Sequence, residues 1–201
     1  MGKSRLEAFS DGVLAIIITI MVLELKVPHG AALSDLLPVL PVFLSYLVSF
    51  VYVGIYWNNH HHLLHTAQRI TGGVLWANLH LLFWLSLVPF VTGWAGENHF
   101  AAAPTALYGV VLFMCGIAYW VLAQAIMRAD GAQSVLRKAV GKDPKAVASL
   151  VAYTLAVGVA YCQPWSAVAL YVSVALMWLI PDRRIERVVN AEGPHAESSH
   201  H

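Results

Sequence analysis

The chain has 201 residues, of which 59% are hydrophobic and only 11% are charged, and its mean hydropathy is +0.66. Soluble globular domains carry about 25% charged residues, so this composition excludes that class and indicates an integral membrane protein. The net charge is +1, and no basic patch with interleaved aromatic residues is present, so no nucleic-acid partner is expected.

Six apolar stretches have the length, or nearly the length, of a membrane-spanning helix, which needs about 20 mostly apolar residues. On that template the spans are expected at about 6–25, 36–57, 73–94, 104–127, 146–162 and 165–181. We therefore predict an all-α integral membrane protein with a six-helix transmembrane domain over 1–189. The polar tail over 190–201 is expected to be disordered or to derive from an expression tag.

Lysine and arginine are distributed unevenly between the two sets of loops. With the N-terminus in the cytoplasm, eleven of the twelve lie on the inner side and only Lys26 lies outside. This distribution follows the positive-inside rule for membrane proteins. It predicts that both termini are cytoplasmic. We expect a multi-pass protein of the cell inner (plasma) membrane.

The first span carries a polar pair, Ser10 and Asp11, near its inner end. An ionised carboxylate inside a membrane helix costs roughly 2.5–3.5 kcal/mol at the centre, so Asp11 needs partners at the same depth. The histidines at 60–62 and Asn78 lie at the inner ends of the next two spans. We interpret the group as a hydrogen-bonded network that holds the first helix in register, in preference to a direct role in transport.

Above this pair, Ile16, Ile20 and Leu23 recur at i, i+4 and i+7, which places them on one stripe of the helix. Such a stripe is typical of a pore-lining helix and equally typical of an ordinary packed one. At about 100° per residue, Asp11 points roughly 140° away from Ile16. Asp11 is therefore expected on the packing face if the stripe faces a pore.

The group His60, His61, His62 and His65 resembles a metal-binding cluster at first sight. Adjacent helical residues diverge by about 100°, so only His61 and His65 share a face. No cysteine or acidic residue accompanies them in the same loop, which favours interfacial packing and hydrogen bonding over a metal site. His80, deeper in the third span, is expected to make a polar contact between helices.

Sequence signatures of enzymes are missing. The chain contains no GxSxG, HExxH or Walker motif and no carboxylate pair within a span, so no catalytic site is expected. The TVGYG selectivity filter of ordinary potassium channels is also missing.

Two motif blocks carry a family resemblance. The first is R-x-x-x-F-S-D-G-V-x-A-I-x-x-T, which begins at Arg5 and ends at Thr19. The second comprises YWNNHH from Tyr56, LWANLHLLF from Leu75, and Pro89-Phe90. Together they span the first three predicted helices, and they resemble the prokaryotic relatives of the endolysosomal potassium channel family, transmembrane protein 175, which is recognised by its FSD motif.

That resemblance implies a homotetrameric channel for monovalent cations, with potassium as the permeant ion and no cofactor. The first helices of four copies would line a central pore, and rings of Ile16, Ile20 and Leu23 would form the gate. Thr19 matches a threonine for which a role in selectivity has been proposed. The structural network that surrounds the FSD motif is carried over onto Arg5, Phe9, Ser10, Asp11, His61 and Asn78.

Glu24 stands near the outer end of the first span. Four carboxylates around an outer mouth would raise the local concentration of cations. A solvated helix end without function is an equally good interpretation of this residue.

Two other functional classes remain open on the sequence. A proton-coupled or cation secondary transporter would use Asp11 and the inner-side histidines, and it predicts slow, saturable, coupled flux. A membrane scaffold without transport activity predicts no flux.

Overall fold

A computed structural model describes residues 2–134, 136–137 and 144–179, and every regular element within these ranges is helical. The helices are α1 Lys3–Leu23, α2 Leu40–Thr66, α3 Gly72–Ser86, α4 Val88–Glu97, α5 Ala102–Asp130, α6 Pro144–Val159 and α7 Pro164–Leu179. A 3₁₀ helix, Leu33–Val39, leads directly into α2, and a second, Gly131–Gln133, follows α5.

The helices overlap all six predicted spans, but α2 continues to Thr66, beyond the predicted end of the second span at 57. Four segments are long and apolar enough to cross a membrane: Lys3–Leu23, Leu33–Thr66, Gly72–Glu97 and Ala102–Asp130. The remaining two, α6 and α7, are apolar but have only 16 residues each. The predicted end of the last span at 181 and the tail over 190–201 lie outside the described residues.

The third predicted span is divided into α3 and α4 by a break at Leu87. Pro89 lies in the first turn of α4 and has no N–H group to donate to the carbonyl of Leu85. Proline is tolerated at this position because the first N–H groups of a helix have no partner within the helix. The helix therefore restarts at Val88 as a separate element, α4.

Three polar contacts show which helix ends lie together. Lys3 Nζ donates to the carbonyl oxygen of His65 at 2.7 Å, so the start of α1 lies beside the end of α2. The backbone N–H groups of Gln68 and Arg69 donate to the carboxylate of Asp130 at the end of α5. We call this the inner end, in keeping with the positive-inside prediction, and the opposite end, which carries Lys26, the outer end.

Hydrogen bonds between hydroxyl groups connect α2, α4 and α5 in the core. Thr92 Oγ1 donates to the carbonyl of Val88 at 2.6 Å and therefore accepts from Ser49 Oγ, which lies 2.6 Å away. Ser49 in turn accepts from the Tyr108 hydroxyl at 2.9 Å. In a membrane protein such bonds between helices contribute to association because hydrocarbon offers no alternative partner.

Close approach of α2 and α4 depends on Gly96. A Cβ atom at this position would lie 2.7 Å from Val42 Cα and 2.5 Å from Ser45 Oγ, which is closer than side chains approach each other. The absence of a side chain lets the two backbones meet, as small residues do in membrane helix interfaces. The contact holds the outer part of α4 beside α2, and α4 in turn packs against α1.

Candidate functional site

Helix α1 has one buried face and one exposed face along its whole length. The buried face consists of Leu6, Ser10, Leu14, Ile17 and Met21, at helical spacings of three and four. These side chains pack against α2, α3 and α4. The opposite face is left uncovered by the rest of the protomer and is available to lipid or to other copies of the chain.

The stripe that sequence analysis singled out lies on this uncovered face. Ile16 is 60% exposed, Ile20 is 43% exposed and Leu23 is 75% exposed. They therefore do not form core within the protomer, which excludes the ordinary packed interpretation for a single copy. From Ile16 to Leu23 the stripe extends along the helix axis by about 10 Å, at 1.5 Å per residue.

Thr19 is exposed near the middle of the same face. Its hydroxyl donates to the carbonyl oxygen of Ala15 at 2.8 Å, one turn below. The hydroxyl proton is used in this bond, so the oxygen lone pairs are left to accept from water or to coordinate a cation. Thr19 thus places an oxygen acceptor among apolar side chains.

A buried polar network connects α1, α3 and α2 at the inner part of the bundle. Ser10, Asn78 and His60 are all at most 2% exposed. Ser10 Oγ donates to the carbonyl of Leu6 at 2.8 Å and accepts from Asn78 Nδ2 at 3.0 Å. Asn78 Oδ1 then lies 2.7 Å from His60 Nε2.

The order of donors in this network follows from its chemistry. The Ser10 proton is used by Leu6, so Ser10 can only accept from the amide nitrogen of Asn78. The amide oxygen therefore faces His60, and its bond requires a proton on His60 Nε2. Each of the three side chains in the network thus has a hydrogen-bond partner, which is the condition for burying polar side chains in a membrane bundle at acceptable cost.

Asp11 is not part of this buried network. It is exposed in the protomer, and its Oδ1 accepts a hydrogen bond of 3.0 Å from the indole Nε1 of Trp57 on α2. The prediction that Asp11 lies on the packing face is therefore wrong in detail: Ser10, the preceding residue, takes the buried position. Asp11 lies at the edge of that face and links α1 to α2 from outside.

Three other predicted members of the network, His61, Arg5 and Phe9, lie elsewhere. The His61 side chain is exposed and contacts the rings of His62 and His65, with centroid distances of 5.7 and 6.3 Å. Arg5 is exposed, and its side chain has no hydrogen bond or ion pair with any described residue. The network of α1, α2 and α3 thus uses His60 in place of His61, and Phe9, 48% exposed, lies outside it.

Helical spacing contained a signal for His60. The buried positions of α2 include Ser49, Tyr52, Val53 and Leu64, and His60 continues this series at intervals of three, four and seven. His61 lies about 100° further round and joins Trp57 on the exposed face, one turn away. Which of the two adjacent histidines is buried depends on the direction of the whole buried face of α2, and the local motif does not give that direction.

His80 also differs from its expected role. Its Nε2 accepts a hydrogen bond of 3.0 Å from Trp84 Nε1, one turn further along α3. The predicted contact between helices is therefore a contact within one helix. Among the described residues, no group of three histidine, cysteine, aspartate or glutamate side chains has the arrangement of a metal site.

The outer end of α1 is surrounded by carboxylates. Glu24 is exposed, and its Oε2 lies 3.8 Å from the position that a Cβ on Gly93 of α4 would occupy. Lys26 Nζ forms an ion pair of 2.6 Å with Glu97 Oε1. The hydrogen bond and charge of Glu97 raise the pKa of Lys26, because both favour its protonated form. The pair is exposed on both sides, so its contribution to stability is small.

An apolar groove of about 620 Å³ runs beside the stripe, between α1 and the α3–α4 segment. Ile16 and Ile20 form one wall, and Phe90 and Trp94 on α4 form the other. The two aromatic rings stack with a centroid distance of 6.3 Å and are 62% and 37% exposed. The exposed stripe therefore continues laterally into a wider apolar surface.

Comparison with known proteins identifies the family. The family described as endosomal/lysosomal potassium channel TMEM175 matches residues 5–89. The chain is 56% identical over 187 residues to a potassium channel of Chryseobacterium sp. (strain P1-3), a match that covers 93% of this chain and 97% of that protein. The chain belongs to the TMEM175 family.

Structures and animal relatives agree with this assignment. The fold is similar to that of a lysosomal potassium-selective channel TMEM175 homolog from Chamaesiphon minutus, with a TM-score of 0.71 and 27% identity over 88% of this chain and 96% of that chain. An endosomal/lysosomal proton channel TMEM175 of Homo sapiens is 36% identical over 83 residues, which are 35% of this chain and 16% of that protein.

The predicted family is thereby confirmed, and TMEM175 is a family of channels rather than of enzymes. The chain is a multi-pass membrane protein. The matched range, 5–89, contains α1 from Arg5 onward, all of α2 and α3, and the break at Leu87. It therefore includes both faces of α1: the uncovered stripe and the network through Asn78.

Proposed function

We propose that this chain forms a potassium-permeable cation channel of the plasma membrane, in which the α1 helices of four copies line a central pore. The observation that carries the proposal is the division of α1 into a core face anchored through Ser10 and an exposed stripe of Ile16, Ile20 and Leu23. The relatives are potassium channels, which supports potassium as the permeant ion of this chain.

In this proposal the stripe is the gate. Four copies of each side chain form an apolar ring, and a narrow apolar ring loses its water. A cation cannot pass such a ring without replacement ligands for its hydration shell. Conduction then requires the α1 helices to move apart or to turn, so that the ring becomes hydrated.

Thr19 has the position and chemistry for an ion contact beside the gate. It lies between Ile16 and Leu23 along the helix, and its oxygen lone pairs face away from Ala15. Four hydroxyl oxygens at one level would replace part of the hydration shell of a potassium ion, as oxygen ligands do in other cation pathways. Selectivity at this level would depend on the distance between the four α1 helices.

The network of Ser10, Asn78 and His60 serves the channel as an anchor. The Ser10–Asn78 bond links the inner half of α1 to α3, the Asn78–His60 bond continues this link to α2, and the Asp11–Trp57 bond joins α1 to α2 directly. A fixed inner half provides a support against which the outer half of α1, with Ile20 and Leu23, can move. Arg5 and Phe9 lie on the uncovered side, where a neighbouring copy would be.

Liposome flux of the wild-type protein tests the proposed function. We expect potassium efflux that depends on membrane voltage, continues without a proton gradient and does not saturate at millimolar potassium. A proton-coupled transporter using Asp11 would give saturable efflux that requires a proton gradient. A scaffold would give the same flux as empty liposomes, and either of these two results would contradict the channel proposal.

Glu24 is proposed to raise the cation concentration at the outer mouth. It lies about 80° around the helix from Ile16, so it borders the mouth and does not stand within the constriction. Replacement by glutamine is expected to lower potassium conductance about two- to threefold in about 10 mM salt, because the Debye length there is about 30 Å.

The same substitution is expected to have little effect in about 1 M salt, where the Debye length falls to about 3 Å. Single-channel recording in both solutions provides the measurement. Glu97→Gln is a comparison variant, since Glu97 is engaged with Lys26 and contributes less net field. Equal conductance of the wild type and Glu24→Gln at low salt would show that Glu24 is only a solvated helix end.

A further inference from the structure

A second cavity lies away from α1, in the inner half of the bundle between α2, α5 and α6. Its volume is about 470 Å³, within the range of small-molecule sites. Most of its wall is apolar or aromatic, including Tyr52, Tyr153 and Met127. Neither the gate proposal nor the polar network uses any of these residues.

Most polar groups in the wall already form hydrogen bonds with other groups of the protein. Asn59 Nδ2 donates to the carbonyl of Ile55 at 2.9 Å. Ser149 Oγ donates to the carbonyl of Lys145 and accepts from Trp178 Nε1, both at 2.8 Å. The wall therefore offers mainly apolar surface, which suits a hydrocarbon chain better than water, since a bound water needs two to four polar partners.

The cavity opens between α5 and α6 toward the bilayer. Trp120 on α5 and Val147 on α6 belong to the wall, yet they are 55% and 64% exposed. Toward the outer side the two helices close together, because a Cβ on Gly116 would lie 3.2 Å from Leu150. A lipid chain can thus enter sideways from the inner leaflet without crossing the protein.

Positive charge flanks the inner end of this opening. Arg128 lies one turn after the wall residue Gln124 on α5. Residues one turn apart share a helix face, so Arg128 lies beyond the inner end of the cavity wall on the same face. On α6, Lys145 precedes Ser149 by one turn, and its Nζ lies 5.9 Å from the ring centroid of Trp178. The described residues of the wall itself include no charged side chain of either sign. Basic pockets between helices on the cytoplasmic side are suited to anionic lipid headgroups.

We propose that this cavity binds one acyl chain of an anionic phospholipid from the inner leaflet, with the phosphate headgroup between Arg128 and Lys145. The wall along α5 extends from Gly116 to Met127, about 16 Å at 1.5 Å per residue. A chain in this space fills the gap between α6 and the α2–α5 pair, so binding stabilises the arrangement of these helices.

Two phospholipids with the same oleoyl chains test this proposal on the purified full-length protein in detergent. Dioleoylphosphatidylglycerol is anionic and dioleoylphosphatidylcholine is zwitterionic, and the fraction of each retained is measured by native mass spectrometry. Each nearby Lys or Arg is worth about a fivefold change in binding of an anionic headgroup. We expect the wild type to bind phosphatidylglycerol about five- to thirtyfold more tightly and to show the larger rise in thermal unfolding midpoint with it.

Variants separate the headgroup contact from the cavity. The double variant Arg128→Gln/Lys145→Gln is expected to lose the preference for phosphatidylglycerol, whereas Arg69→Gln, at the same end but on neither of the two helices that form the opening, is expected to keep it. Val147→Trp fills the entrance from a position that is 64% exposed, so the core is not disturbed, and it is expected to weaken both lipids at least fivefold.

Three results would overturn the proposal. Equal affinity of the wild type for the two lipids excludes headgroup recognition. A preserved preference in the double variant places the recognition elsewhere. Unchanged binding of both lipids to Val147→Trp, in protein whose circular dichroism matches the wild type, shows that the chain does not occupy this cavity.

Discussion

Potassium flux through the reconstituted protein is expected to rise on the order of tenfold when Leu23 or Ile16 is replaced by alanine, since a tenfold change corresponds to about 1.4 kcal/mol in the barrier. Both side chains lie on the uncovered face of α1. Truncation widens and hydrates the proposed apolar ring, and hydration is what a cation requires to pass. Neither side chain is part of the protomer core, so little loss of folding stability accompanies the change.

Val22→Ala is the matched control for this prediction. Val22 and Ile20 are both 43% exposed, yet they point about 160° apart on α1 because two residues turn the helix by about 200°. We expect Ile20→Ala to increase flux and Val22→Ala to leave it at the wild-type level. If all of these variants had the wild-type flux, or if Val22→Ala increased flux as much as Ile20→Ala, the stripe would not be part of the ion pathway.

Replacement of Asn78 by leucine is expected to destabilise the protein by about 1–3 kcal/mol for each buried partner that loses its bond. Leucine has nearly the same size, so the packing volume is kept while both amide functions are lost. The His60 N–H loses its acceptor and Ser10 Oγ loses its donor, and both residues are at most 2% exposed. Bonds between helices in membrane bundles average about 0.6 kcal/mol, and we expect a larger effect here because two buried partners lose their bonds.

Chemical or thermal unfolding in detergent, followed by circular dichroism, measures this effect. Asn58→Leu on α2 makes the same chemical change at an exposed position and is expected to stay within about 0.5 kcal/mol of the wild type. A double-mutant cycle with Ser10→Ala is expected to be non-additive, because the two residues share one bond. Additive effects, or equal stability of Asn78→Leu and the wild type, would contradict the role of the network as an anchor.

The inner end of α2 shows how much of the polar network a local sequence motif can predict. The sequence YWNNHH predicts that polar side chains here meet the FSD motif, and the structure brings Trp57 to Asp11 and His60, through Asn78, to Ser10. The local motif does not distinguish His60 from its neighbour His61. That distinction depends on the rotation of α2 about its axis, which is set by the packing of Ser49 and Tyr52, more than two turns away, together with Leu64.

The outer part of the third span shows a second limit of prediction from the sequence. Hydropathy predicts one continuous helix over 73–94, because α3 and α4 are both apolar. Pro89 is visible in the sequence, but whether a proline bends, breaks or merely begins a helix depends on what its neighbours pack against. Here α4 packs against α2 and α1, with Gly96 against Val42 and Gly93 beside Glu24.

By itself the sequence determined that this is an all-helical membrane protein of the TMEM175 family, because the length and hydropathy of the spans and the motif blocks are local properties of the chain. Only the tertiary structure decided that Ser10 is buried and Asp11 is not, that His60 takes part in place of His61, and that Ile16, Ile20 and Leu23 are left uncovered. These outcomes depend on how each helix is rotated against its neighbours, and a rotation of about 100° exchanges adjacent residues between core and surface. The same packing of α2, α5 and α6 creates the inner cavity, for which the sequence contains no local pattern.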